Sequence, residues 1–117
     1  MLLDEISKVL EADLIGDVEN FDKEITMVCG SDLMSDVLAF IKTDALLLTG
    51  LINRQVVRTA EMAEVIAICF VRGKRPQDET IKLANEKKIP LLATKLSMFE
   101  SCGRLYKKGL LGTDDPE

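Results

Sequence analysis

Apolar residues in this chain fall into two alternating patterns, and the alternation predicts the architecture. Leu3, Ile6, Val9 and Leu10 recur at helical spacing, which predicts a helix over 3–11. The short run 12–16 reads as an edge strand, and a polar connection, 17–24, leads to the β-branched segment 25–29, stopped by Gly30. Ser31-Asp32 opens a second helix with an apolar stripe of Leu33, Met34, Val37, Leu38, Phe40 and Ile41. Residues 45–49 read as a buried strand closed by Gly50, and Asn53 is placed to cap a helix to about Glu64 with Val56, Val57, Ala60 and Ala63 inward. Residues 65–71 give the strongest strand signal. Pro76, followed by Asp78 and Glu79, suits the first turn of a helix reaching about Lys88. A short strand over 89–93 follows. Ser97 and Glu100 then have the spacing of a capping box before a helix carrying Met98, Cys102, Leu105 and Tyr106 on one side, which ends at Gly109. Strands apolar on both faces, separated by amphipathic helices, imply a three-layer α/β/α sandwich with a mostly parallel sheet of about five strands. Residues 1–111 make one domain, and the acidic segment 112–117 is expected to be a disordered tail.

Composition narrows the chemistry. The chain has 117 residues, 47% apolar and 30% charged, with a formal net charge of −5. That supports a folded core and disfavours nucleic acid and anionic membrane as partners, since both require a basic face. There is no histidine, which removes Ser-His-Asp and Cys-His catalysis and His-ligated zinc. Cys29, Cys69 and Cys102 form no CxxC pair, so neither a disulfide framework nor an iron–sulfur cluster is expected. The longest uncharged stretch, 45–53, is far below the roughly 20 residues of a membrane span. The N-terminus lacks a basic export signal, so a cytoplasmic protein with reduced thiols is expected. No cofactor is implied.

In parallel sheets, ligands gather where strand ends meet helix N-termini. Three segments fit that position, each with a structural alternative. Ser31, Asp32, Ser35 and Asp36 follow Gly30. Their hydroxyls and paired carboxylates suit a ribose or a magnesium ion, or else they cap a helix and complement its dipole. Within the same segment, Cys29 could accept a phosphate in a strand–Cys–loop–helix arrangement like that of sugar-phosphotransferase IIB proteins, although the nearby acids oppose a thiolate. The second segment, Arg72-Gly73-Lys74-Arg75, is the one basic cluster before a helix. It lacks a GxxxxGK[ST] or GxGxxG pattern and reads either as a phosphate site or as a solvated turn. In the third, Thr94 and Lys95 follow a strand directly and precede the capping Ser97. Thr49 and Asn53 bracket the remaining strand end.

These segments also carry a family resemblance. Residues 31–37 (SDLMSDV), 72–80 (RGKRPQDET) and 94–100 (TKLSMFE), with Gly103-Arg104-Leu105-Tyr106, resemble the DRTGG domain in its small stand-alone form, and the last stretch is similar to the end of the N-terminal domain of HPr kinase/phosphorylase. The resemblance implies a regulatory or dimerising α/β module, found alone or attached to CBS-domain pyrophosphatases and phosphate acetyltransferases. It also implies stand-alone members encoded near iron-only hydrogenases and signalling proteins. Two words of the family pattern are altered here. Its acid–Arg pair falls at Asn53-Arg54, and its Thr-Gly-Gly word at Val71-Arg72-Gly73, where only the last glycine is kept. The P-loop of HPr kinase lies in a separate domain, so kinase activity does not follow.

The leading expectation is a non-enzymatic module, a homodimer, that senses a small phosphorylated ligand through Ser31, Asp32, Ser35, Asp36, Thr49, Asn53, Arg72, Gly73, Thr94 and Lys95. One alternative is a phosphotransfer protein or enzyme using Cys29, Asp32 and Lys95. The other is a structural accessory of a redox or signalling complex, with a protein partner and no ligand.

Overall fold

The computed structural model describes residues 1–18 and 23–113. The chain runs α1 (Leu3–Val9), β1 (Asp13–Ile15), β2 (Met27–Gly30), α2 (Met34–Phe40), β3 (Leu46–Thr49), α3 (Arg54–Ala63), β4 (Ala67–Phe70), α4 (Asp78–Glu86), β5 (Leu91–Ala93), α5 (Met98–Lys107) and β6 (Leu111–Gly112). Six strands form one sheet in the order β1-β5-β4-β3-β2-β6. The four central strands and β6 are parallel, while β1 pairs antiparallel with β5, setting Asp13 opposite Ala93.

The connections dictate the layers. β2, β3, β4 and β5 are neighbours in sequence order, so right-handed crossovers place α2, α3 and α4 on one face. There Met34, Val37, Val56, Val57, Ala60 and Ala84 pack on Leu47, Ile68, Phe70 and Leu91. α5 instead crosses the opposite face to reach β6 beyond β2. Together with α1 it covers that face, where Leu3, Ile6, Leu10 and Leu105 meet Leu46, Leu48, Ala67, Cys69 and Leu92. Alternate strand residues therefore enter different cores, which is why the central strands β3, β4 and β5 are almost wholly apolar. Each fully buried leucine contributes about 1.5–3 kcal/mol. The result is the expected three-layer α/β/α sandwich.

Several expectations at the level of single elements change. Ser31 and Asp32 do not open α2, which begins at Met34 after Leu33. Only Met34 and Val37 of its apolar residues are buried, because a seven-residue helix at the sheet margin has one narrow covered face; Leu33, Leu38 and Phe40 are exposed. Pro76 lies one residue before the Gln77 cap of α4 rather than in its first turn. Ser97 Oγ does cap α5 by accepting from the Glu100 amide at 3.2 Å, but the Glu100 carboxylate turns to Arg104 at 2.9 Å, so only half of the capping box forms. Tyr106 faces out, and Leu111 and Gly112 pair with β2. The acidic stretch 114–117 and part of the connection 17–24 lie outside the described residues. No helix among the described residues is long and apolar enough to cross a membrane.

Candidate functional site

The loop after β4 leads to α4 on one face, while the loop after β5 leads to α5 on the other. Where neighbouring loops diverge in this way, the carboxyl ends of a parallel sheet open into a crevice. A pocket of about 360 Å³ lies there, lined by Gly73, Arg75, Thr94, Lys95 and Leu96 and by Glu11 and Asp13 from the antiparallel edge. That volume is at the lower end of the range for small-molecule sites, about 300–1,000 Å³.

Backbone geometry fixes one wall. Arg72 and Gly73 both have positive φ, 62° and 73°, and the Lys74 amide donates to Val71 O at 3.3 Å, closing a turn of the mirror-image type. Glycine suits the second of these positions, while Arg72 holds a conformation costing a non-glycine residue roughly 1–2 kcal/mol. The turn is pinned by the Arg72 amide donating to Leu96 O at 2.7 Å and the Gly73 amide to Thr94 O at 2.9 Å. These amides are therefore committed, and recognition of an anion falls to side chains. Arg75 pairs with Asp13. Glu11 pairs with Arg104 at 2.8 Å. Lys95 is exposed and makes no ion pair among the described residues.

Two hydroxyls near the rim have structural work. Thr94 Oγ1 donates to Leu10 O at 2.6 Å and accepts from the Leu96 amide at 3.2 Å. Thr49 Oγ1 donates to Asp32 Oδ1 at 3.0 Å and accepts from the Leu51 amide at 3.2 Å. Asp32 Oδ1 also accepts from the Gly50 amide at 2.7 Å. Asp32 is thus a latch between the ends of β2 and β3, and it caps no helix. Ser31 Oγ accepts from the Leu33 amide at 3.1 Å in a local turn, and Ser35 and Asp36 are exposed on α2.

Apart from Ser31, Ser35 and Asp36, which lie on the loop and helix after β2, the sequence-derived residues fall into three groups. Gly73, Thr94 and Lys95 line the main pocket, with Arg72 on the turn beside it. Asp32 and Thr49 interlock two strands away. Asn53 lines a separate pocket with Ile52, Arg54, Gln77, Glu79 and Thr80 at the start of α3 and α4. The set Cys29, Asp32 and Lys95 is not assembled, because β3 and β4 separate β2 from β5, a spacing of about 14 Å at about 4.8 Å per strand. Burial pushes the Cys102 thiol up, and Cys69 up to about 12, away from thiolate chemistry. Among the described residues no cluster of acids and cysteines is placed to hold a metal. Glu11 and Asp13 escaped sequence reasoning. The one available signal was a charged residue at the start of an edge strand, and it says nothing about which strand lies alongside.

A DRTGG domain family profile matches residues 5–107. The chain belongs to the DRTGG domain family. No curated protein matches it. Among solved structures, the CBS and DRTGG domains of the regulatory region of Clostridium perfringens pyrophosphatase, complexed with the activator diadenosine tetraphosphate, align with a TM-score of 0.75 at 20% identity, covering 93% of this chain and 47% of that one. This DRTGG domain thus spans about half the length of that regulatory region, and the likeness establishes a shared fold.

Proposed function

We propose that this DRTGG domain is a non-catalytic regulatory module that binds a small phosphorylated ligand, such as a nucleotide, in the pocket between the loops after β4 and β5, and acts through self-association or a protein partner. One observation carries the reading: the pocket at the divergence of those loops holds a lysine, Lys95, with no ion pair among the described residues, beside an arginine, Arg75, whose partner is an exchangeable carboxylate. A phosphate would take the place of Asp13 on Arg75 and gain Lys95 as a second cation. Glu11 and Asp13 then select against ligands without enough negative charge to displace them. The regulatory setting of the related pyrophosphatase region, with its nucleotide activator, supports the same direction.

Isothermal titration against a panel of mono-, di- and dinucleoside phosphates tests it. Binding that weakens at least tenfold in Lys95→Ala and Arg75→Ala and tightens in Asp13→Asn is the expected result. Absence of heat with every nucleotide would remove the sensing role.

A further inference from the structure

Helices α3 and α4 pack together on one face of the sheet, and their first turns enclose a second pocket of about 360 Å³. Neither start is capped by a side chain. The Arg54 and Gln55 amides of α3 make no hydrogen bond among the described residues. α3 also has no acid in its first turn, whereas α4 has Asp78 and Glu79. A helix start holds about half a positive elementary charge. The pocket therefore has two poles: the open end of α3 with the Arg54 guanidinium, and the Glu79 carboxylate. Arg54 and Glu79 both line it, yet neither forms an ion pair among the described residues.

A separate observation points to a ligand. Thr80 lines the same pocket although it is only 3% exposed, and its hydroxyl has no hydrogen-bond partner among the described residues. Nearly buried polar groups are as a rule hydrogen-bonded. Ser101 Oγ is the one side-chain polar atom sealed without a partner among the described residues. The Thr80 hydroxyl is therefore not sealed, and its opening is the pocket.

We propose that this pocket binds the zwitterionic head of a free α-amino acid. The carboxylate sits at the start of α3, where the Arg54 and Gln55 amides and the Arg54 guanidinium donate to it. The ammonium donates to the Glu79 carboxylate and to the Thr80 hydroxyl, which accepts. Two poles of opposite sign fix the orientation and select against ligands carrying one charge alone. A phosphate meets the Glu79 carboxylate, and a simple amine meets Arg54. Arg54 and Glu79 also border the groove that runs between the helices past Leu83, which gives the ligand's side chain a place to lie. The site shares no lining residue with the nucleotide pocket and stands independently of it.

Two-dimensional NMR of the isotope-labelled whole chain, titrated with each standard amino acid, tests the assignment. At least one amino acid should move the Arg54, Gln55 and Thr80 amides saturably. Its N-acetyl derivative lacks the ammonium and its amide lacks the carboxylate, so each should bind at least about tenfold more weakly, as should inorganic phosphate. Arg54→Gln and Glu79→Gln, at exposed positions, and Thr80→Val, which keeps the side-chain shape, should retain the native circular dichroism and weaken binding by a similar factor. Glu79→Gln should leave the N-acetyl derivative unaffected. No saturable shift with any amino acid overturns the proposal, and so does phosphate binding as tightly as the best amino acid. A nucleotide that moves these amides instead of those around Lys95 overturns it too, whereas one that moves only the latter leaves it standing.

Discussion

Replacing Asp32 with alanine separates a structural latch from a ligand group. The substitution removes the acceptor of two hydrogen bonds, from the Gly50 amide at 2.7 Å and from Thr49 Oγ1 at 3.0 Å. The Gly50 amide lies near solvent, so its bond is worth about 0.5–1.5 kcal/mol net. The Thr49 side chain is fully buried; its oxygen still accepts from the Leu51 amide, but its proton loses its acceptor, at a cost of roughly another 1–3 kcal/mol. A loss of about 2–3 kcal/mol is expected overall, a fall in Tm of about 8–12 °C for a domain of this size. Asp32→Asn keeps an oxygen at the accepting position and should cost about 1 kcal/mol. Thr49→Val, combined with Asp32→Ala, should show a coupling of about 1 kcal/mol, because the two share one bond. Urea unfolding of wild type, the two Asp32 variants, Thr49→Val and the double variant measures all of this. If Asp32→Ala falls within about 0.5 kcal/mol of wild type while nucleotide binding is abolished, the latch is wrong and Asp32 belongs to the ligand.

Three further outcomes follow from the packing. Gly30→Ala would place a Cβ 2.8 Å from Cys102 Sγ and 3.0 Å from Met98 Sδ, where α5 crosses β2. It should cost about 1–3 kcal/mol, with part of the loss recovered when Cys102→Ala is added, and denaturant titration of the cycle reads this. Ser101 Oγ is fully buried in α5 without a hydrogen-bond partner among the described residues, so Ser101→Ala should raise stability by about 1 kcal/mol, visible as a higher urea midpoint. Cys69 is protonated in the fold up to about pH 12, against 9.0 for the free thiol, because burial penalises the thiolate. The unfolded chain therefore loses its proton first. Stability should fall between those two values, by at most about 1.4 kcal/mol per pH unit from this group, and Cys69→Val should flatten the decline.

The sequence by itself determined the layers of this protein. Period-2 and period-3.6 patterns are local, so the wholly apolar runs at 46–48 and 67–70 and the helices at 54–63 and 98–107 could be read from neighbours in the chain. Runs apolar at every position already required covering on both faces. The basic turn at 72–75 was also visible, since charge composition needs no fold to be seen.

Only the tertiary structure decided which of the polar groups meet. Asp13 reaches Arg75 because β1 runs antiparallel against β5, a pairing between segments nearly eighty residues apart that no local pattern encodes. Asp32 has the local signature of a helix cap, yet the end of β3 offers it the Gly50 amide and the Thr49 hydroxyl, and these two donors outweigh a terminus two residues away. Likewise the exposure of Phe99 and Tyr106 depends on how far α5 rolls onto the sheet. Gly30 and Arg104 fix that roll through contacts with elements distant in sequence. Periodicity specifies that a helix has an apolar side, but packing against the rest of the fold chooses which residues that side buries.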